Sequence, residues 1–396
     1  MTLLSGYRAL RILLLLLCCC RFASAEAFHV TDLFGKTIEA SVTSIDAKGV
    51  HLKSGDKSGI RELPDLRSIR RKIGPSKKQP TPTIELILAG GGRLLGKRVT
   101  MDEENCVLHG CSLSSDPIPV PLDFVRAVVL APKMVTQEMR QQLIKPREED
   151  RFLVRIDDTI ETLDGLVEGL SESEVSFSWN DVSRKLKTNN VLAIGIADAG
   201  AEIGGDALIR FLDGQAITAT VSNLKADTLD VKLFGETQHS LPWKQVVAIE
   251  IMSERLKFLG DLEPEISTHK PIVTTVRPWQ RDRSVGGEPM KLGETSYAKG
   301  IGVASWSYLK FSLAGEYSTF CATIGIDAST EGRGDCVFVV RGDGKELVRE
   351  SMKGTDPAKT VRAELGNTQD LELIVLPGND LDLSDHANWC DACVLK

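Results

Sequence analysis

The ten-residue stretch Ser384-Asp385-His386-Ala387-Asn388-Trp389-Cys390-Asp391-Ala392-Cys393 gathers carboxylates, an imidazole, an indole and two thiols. Such residues serve four chemistries: metal ligation, CxxC redox exchange, acid–base catalysis, and recognition of a ligand by stacking and hydrogen bonding. A zinc site takes four tetrahedral ligands, and His386, Cys390 and Cys393 have no evident fourth, because the other histidines are scattered. If Trp389 to Leu395 forms an extended strand, Cys390 and Cys393 lie about 10 Å apart along it. A disulfide requires Cα atoms within about 7 Å, so the redox reading fails unless the segment turns. Each cysteine then reaches for another strand, where Cys321 and Cys336 are available. Catalysis finds little support: the chain has no G-x-S-x-G, no H-E-x-x-H and no histidine constellation suited to a nucleophile. Paired acids need only be close in space, but no stretch has the length of a separate glycosidase domain. The expectation is a recognition protein, not an enzyme.

These side chains must be positioned by a folded scaffold, and the chain is long enough to supply one. Its 396 residues allow two or three cores, and the apolar and charged fractions of 42% and 26% exclude a mainly disordered chain. Arg8 and Arg11 precede the apolar run Ile12 to Cys20, and Ala23-Ser24-Ala25 provides the small residues that signal peptidase requires. Residues 1–25 therefore read as a signal peptide, and the protein as secreted, periplasmic or held at the cell surface. The run is too short to cross a bilayer, and no later segment reaches that length. Leu17 before Cys18 is the wrong residue for lipid attachment. Loss of the basic leader leaves a chain more acidic than the overall net charge of −7, which excludes a general nucleic-acid role. The basic stretch Arg67 to Lys78, interrupted by Gly74 and Pro75, reads as a solvated linker. Cleavage also leaves Cys106, Cys111, Cys321, Cys336, Cys390 and Cys393, an even set that suggests disulfides without fixing their connectivity. Cys106 with Cys111 across a hairpin is one candidate pairing.

Downstream of Glu26 the apolar residues alternate with period two between Gly, Asp and Asn, the signature of short strands. Four stretches share one order: a strand, a tip with glycine, further short strands, and an ending close to LP-x-x-x-V-x-x-I. The copies fall at 26–75, 82–131, 151–197 and 205–252, the third being the most degenerate. Units of this size resemble small Sm-like or SH3-like β-barrels; a single irregular β domain is the alternative. Between the second and third copies, residues 132–150 have helical character, with Met134, Met139 and Leu143 on one face and Pro146 as the stop. Gly90 to Gly92 reads as a hairpin tip and not as a phosphate loop. Arg341-Gly342-Asp343 falls where a hairpin needs an Asp-Gly turn and so has no adhesion meaning.

From about 258 onward the strands lengthen and aromatic residues appear. "WQRDRSVGGEPMKLGETSYAKGIGVAS", "VFVVRGDGKEL" and "LELIVLPGNDLDLSDHANWCDACVL" follow one another in order. These blocks resemble the NPCBM family, galactose-binding-like β-sandwich modules attached to many glycoside hydrolases. The fold class is thus all-β, small barrels followed by a sandwich over 258–396. Alternation in Tyr308 to Leu313 and Phe320 to Ile326 agrees, since one face of each strand is apolar. The resemblance implies an exported, non-catalytic, galactoside-like glycan binder, with Trp279, Arg283, Trp306, Asp385, His386 and Trp389 as candidate contacts. Asp385 and Trp389 also admit a structural reading, in the loop and the core. Where the family shows G-x-G-x-H, this chain has Ala304 in place of the histidine. No organic cofactor is implied; a structural Ca²⁺ would take oxygens from the loop carrying Asp380, Asp382 and Asp385. The rival expectation is a scaffold for proteins of the cell envelope.

Overall fold

The computed structural model describes residues 26–396 apart from 73–81, 158, 198–204, 236 and 380. The leader, most of the expected linker and Asp380 lie outside the described residues. Two compact units are present: one runs to Thr31 and resumes over Thr37–Ile251, and the other comprises Asp32–Lys36 and Met252–Lys396.

The first unit repeats one element order four times. The first copy holds β1–β5 (Phe28–Asp32, Thr37–Asp46, Gly49–Ser54, Lys57–Arg61, Leu66–Arg71). The second has its long strand split, giving β6–β11 (Ile84–Leu88, Arg93–Gly96, Arg98–Met101, Asn105–His109, Ile118–Pro121, Val125–Val129). The third holds β12–β16 (Asp150–Ile156, Thr159–Leu170, Glu174–Trp179, Val182–Lys187, Val191–Gly195). The fourth holds β17–β21 (Ala207–Phe211, Ala216–Lys225, Thr228–Leu233, Thr237–Pro242, Val246–Ile251). β2, β13 and β18 each pair backwards with their first part and forwards with the rest, and the forward pairing is interrupted by a bulge at Val42/Ser44, Val167/Gly169 and Val221/Asn223. A bulge adds bend and twist, which curls the forward hairpin of each copy. A single 3₁₀ turn then precedes the last strand, as at Leu63–Asp65 and Trp243–Gln245, and that strand pairs with the first of its own copy. Last strands also pair between copies, β5 with β21 (Ile69 opposite Ile249) and β11 with β16 (Val128 opposite Ile194).

Two expectations need correction here. The helical segment shrinks to α1, Gln137–Leu143, because Thr136 caps it by accepting the Met139 N–H at 3.2 Å. Met134 thereby falls before the cap and is exposed, whereas Leu143 is buried. The basic stretch is not wholly a linker either: Arg71 belongs to β5 and is buried beside Phe28 and Trp243.

The second unit is a sandwich of two antiparallel sheets. Its strands are β22–β34: Leu256–Phe258, Ile266–His269, Gln280–Arg281, Met290–Leu292, Thr295–Tyr297, Gly300–Ala304, Ser307–Ser312, Thr319–Ile326, Asp335–Gly342, Lys345–Lys353, Lys359–Glu364, Asp370–Pro377 and His386–Leu395. One sheet runs β24-β27-β34-β29-β32 with β22 also on β34, and the other runs β23-β28-β33-β30-β31. Leu309, Phe311, Phe320, Ile324, Phe338, Leu373 and Trp389 fill the space between them. Alternate residues of each strand supply this core, the pattern two packed sheets require.

Candidate functional site

The registers fix which loops meet. Ala304 lies opposite His386, Ile326 opposite Ala387, His269 opposite Ser307, and Cys336 opposite Pro377. The connections 269–280, 304–307, 326–335 and 377–386 therefore gather at one end of the sandwich. Trp279, Trp306, Asp385 and His386 come together there.

They do not play one role. Trp389 is 1% exposed and packs edge-on against Phe338 and Phe320, with ring centres 4.9 and 6.3 Å away. It belongs to the core and presents no face to a ligand, which corrects its candidacy as a contact. Asp385 is equally buried, and its Oδ1 accepts the Asp335 N–H at 2.9 Å; it braces a loop. Arg283 is exposed but donates to the Gly287 carbonyl at 2.7 Å within its own loop, apart from this cluster.

Trp306 is half-buried and sits at φ 62° between two strands. A left-handed tryptophan is uncommon, and this one makes the sharp turn that brings its carbonyl to the Lys270 N–H at 3.1 Å. Trp279 is also half-buried, with the Arg281 guanidinium 5.7 Å from its ring centre. Beside it lies a hollow of about 230 Å³ lined by Thr268, His269, Val276, Arg277, Trp279 and Ser307, among others.

Two residues at the centre were not singled out from the sequence, His269 and Arg277. The Arg277 N–H donates to His269 Nδ1 at 2.9 Å, and His269 Nε2 lies 3.1 Å from the Ser305 carbonyl. A carbonyl only accepts, so Nε2 carries the proton and the ring is neutral. The Arg277 guanidinium lies 3.0 Å from His386 Nε2, which must accept, leaving the His386 proton on Nδ1. Burial lowers both histidines below their ordinary values, and Arg277 lowers His386 further. His386 stands directly across from Ala304. Only strand pairing joins residues so far apart in sequence, which is why no local motif announced His269 or Arg277.

The acidic loop does not fit calcium. Asp382 is 3% exposed, and its carboxylate accepts the N–H groups of Ile272, Val273 and Thr274 and the Thr274 hydroxyl at 2.8–3.1 Å. Burial alone would raise this carboxyl, but those donors outweigh it and bring the pKa down to about 2. Its oxygens are thus committed to hydrogen-bond donors, and no group of three potential ligands converges among the described residues. The same holds for zinc at His386, Cys390 and Cys393. Asp391 takes φ 50°, and the pairing with β29 shifts there. This bulge leaves Cys390 against Met290, Leu292 and Tyr297 and Cys393 against Leu256, Phe258 and Leu395.

The local pairing of Cys106 with Cys111 is also not found. Both are free thiols: Cys106 is buried, which pushes it up to about 12, and Cys111 donates to Gln215 Oε1 at 3.2 Å.

Comparison with known proteins now adds to the geometry. Residues 256–395 match the NPCBM/NEW2 domain. Over 122 residues the chain is 31% identical to a Renibacterium salmoninarum protein named for endo-alpha-N-acetylgalactosaminidase activity, a match covering 29% of this chain and 8% of that protein. The chain thus spans only a small part of that relative's length. A solved CBM51 from a Clostridium perfringens GH95, in complex with methyl-galactose, is 27% identical, covers 35% of this chain and 99% of that one, and has a TM-score of 0.33. CBM51-2 with the INT domains of Clostridium perfringens ZmpB, in complex with GlcNAc, is 22% identical, covers 43% and 36%, and has a TM-score of 0.34.

Proposed function

Starting from an NPCBM/NEW2 domain over residues 256–395, we propose that this is an exported, non-catalytic carbohydrate-binding protein whose sugar site is the loop end of the sandwich. The observation that carries the reading is the hollow of about 230 Å³ whose wall includes Trp279 and Arg277. Ser307 also lines it, and the partly buried Trp306 occupies the turn just before that residue. Aromatic faces stack on sugar rings, while a few fixed polar groups set orientation. The hollow is small, which suits one ring at the end of a glycan. The galactoside carried by one similar module motivates galactose as the first sugar to try.

Acid–base chemistry is disfavoured by the state of the carboxylates at this end. Asp327 is buried and, despite that burial, is lowered by donors that include the Ser329 and Lys291 N–H groups and Asn388. Asp382 is lowered in the same way, and Asp385 faces a backbone donor. Each is held as a structural acceptor. The four copies of the first unit, read as small SH3-like barrels, would act as an arm carrying the module.

A scaffold for envelope proteins is the second reading, favoured by one observation in the third copy. There Trp179 is 48% exposed, Arg184 lies 4.9 Å from its ring centre, and a hollow of about 490 Å³ opens over Leu163, Phe177 and Leu186. Glycan-array binding by the full chain separates the two. Saturable binding to galactosides that is lost in Trp306→Ala, and retained in Trp179→Ala, supports the sugar reading. Silence on the array moves the function to the first unit.

A further inference from the structure

Of the large apolar side chains exposed among the described residues of the second unit, all but Phe34, Met252 and Ile266 sit on two loops at the sugar end. Ile272, Val273, Val276, Leu381 and Leu383 are 60%, 54%, 71%, 50% and 48% exposed. The loops are tied together by Asp382, which lies between Leu381 and Leu383 and takes the N–H groups of Ile272, Val273 and Thr274. Leu381 is held at φ 66°, a backbone that a leucine rarely adopts without compensation. The chain therefore spends strain and a buried carboxylate on displaying aliphatic groups to the outside.

Part of the backbone of this tip is already satisfied. The N–H groups of Lys270, Ile272, Val273, Thr274 and Arg277 all have internal acceptors. Unpaired backbone donors are what usually bar a loop from an apolar medium, and that barrier is lowered here. Lys270 and Arg277 belong to one of these loops, and Arg333 lies at the same end, paired with Glu331 at 3.8 Å. The carboxylates Asp327, Asp382 and Asp385 are withdrawn from the surface. Protein partners favour Trp, Tyr and Arg anchors in pockets, whereas a projecting group of Ile, Val and Leu beside cations suits the boundary between headgroups and acyl chains.

We infer that the ligand of this end is a glycolipid headgroup presented at a lipid surface. The sugar sits at Trp306 and Arg277, and the aliphatic tip enters the lipid beside it. This rests on the glycan reading above. The test uses the full chain and vesicles of phosphatidylcholine alone, with galactosylceramide, or with phosphatidylglycerol, next to soluble methyl-galactoside. The glycolipid vesicles should bind at least about tenfold more tightly than the soluble sugar, roughly the worth of burying one such side chain. The variant Ile272→Ser/Leu383→Ser, with an unchanged melting midpoint, should lose that advantage and keep its affinity for methyl-galactoside. Equal binding of free and vesicle-borne sugar, or indifference to the serine pair, overturns the inference while the sugar reading stands. Vesicle binding that ignores both galactosylceramide and Trp306→Ala overturns the sugar reading, and silence on every probe overturns both.

An independent observation concerns two thiols. Cys321 and Cys393, reduced in this structure as Cys106 and Cys111 are, face each other directly across β29 and β34 and share one buried cluster. Residues directly opposite in an antiparallel pair have Cα atoms about 4.5–5.5 Å apart, inside the range that a disulfide spans. The geometry points to a Cys321–Cys393 disulfide formed on export. The two thiols give up two protons and two electrons to a disulfide oxidant, R–S–S–R, which leaves as two RSH. Protein made in an oxidising compartment should gain two hydrogens in intact mass on reduction, and its unreduced digest should contain one cross-link joining Cys321 to Cys393. Cys390→Ser should leave that link in place. Six alkylatable thiols in the denatured, unreduced protein, or a link through Cys390, overturns the assignment.

Discussion

Trp306 and Trp389 are both candidate contacts by residue type yet have opposite fates. Trp389 fills the core between Phe320 and Phe338. Trp389→Ala should therefore destabilise the second unit by about 3–5 kcal/mol, as large-to-small core changes do, which denaturant unfolding followed by fluorescence would measure. Trp306→Ala should leave that midpoint nearly unchanged and act on ligand alone. The histidines make a second prediction at this scale. His269 and His386 are both lowered in the folded protein from 6.5, so between that value and the folded one the unfolded chain binds more protons. Stability is then complete above about pH 6.5 and falls as the pH drops below it. The charges around them are Arg277 and Asp382 for His269, and Arg277, Asp327 and Arg333 for His386. Melting curves between about pH 7.5 and pH 5 should show this slope, and His269→Gln, which can still accept and donate, should reduce it.

Among elements, β27 is tightly constrained by its neighbours. Gly300 sits at φ 146°, and a Cβ there would lie 2.5 Å from the Trp389 carbonyl oxygen and 2.8 Å from Met290 Cε. Gly300→Ala should cost more than about 2 kcal/mol through backbone strain and displacement of β27 from β34, read as a lowered melting midpoint. Strands of this kind were legible in the sequence because Phe320, Ala322, Ile324 and Ile326 alternate, and the sheet preserves that alternation. The bulge at Asp391 was not legible. It carries Cys390 and Cys393 to separate outer clusters three residues apart, where a regular strand would point them to opposite faces. The helix was overextended because the periodicity of Met134, Met139 and Leu143 ignores the cap at Thr136. Trp306 and His386 could be picked by residue type, whereas Arg277 and His269 owe their place to the pairing of β23 with β28. Composition alone makes the acidic loop around Asp382 a cation site, but composition does not say that backbone N–H groups claim Asp382.

For the first unit as a whole, long-range pairing matters more than any single copy. Arg71, from the first copy, donates to the carbonyls of Trp243 and Val246 in the fourth at 2.7 and 2.8 Å. It also pairs with Glu26 and lies against the stacked Phe28 and Trp243 rings. Arg71→Ala would strand two buried acceptors and should destabilise this unit by about 3 kcal/mol. Hydrogen exchange should locate the loosening at β5 and β21 together, with β11 and β16 unaffected.

That pairing nests like brackets, the second copy closing on the third and the first on the fourth. A chain emerging in order from its N-terminus completes the inner pair while β5 still waits for β21. Contacts so distant in sequence form slowly, and until they form β5 offers an unpaired edge, the kind of surface on which chains join one another by mistake. Truncation anywhere before β21 would make that wait permanent. Fragments lacking the fourth copy should consequently aggregate through the first, however well the middle two are folded.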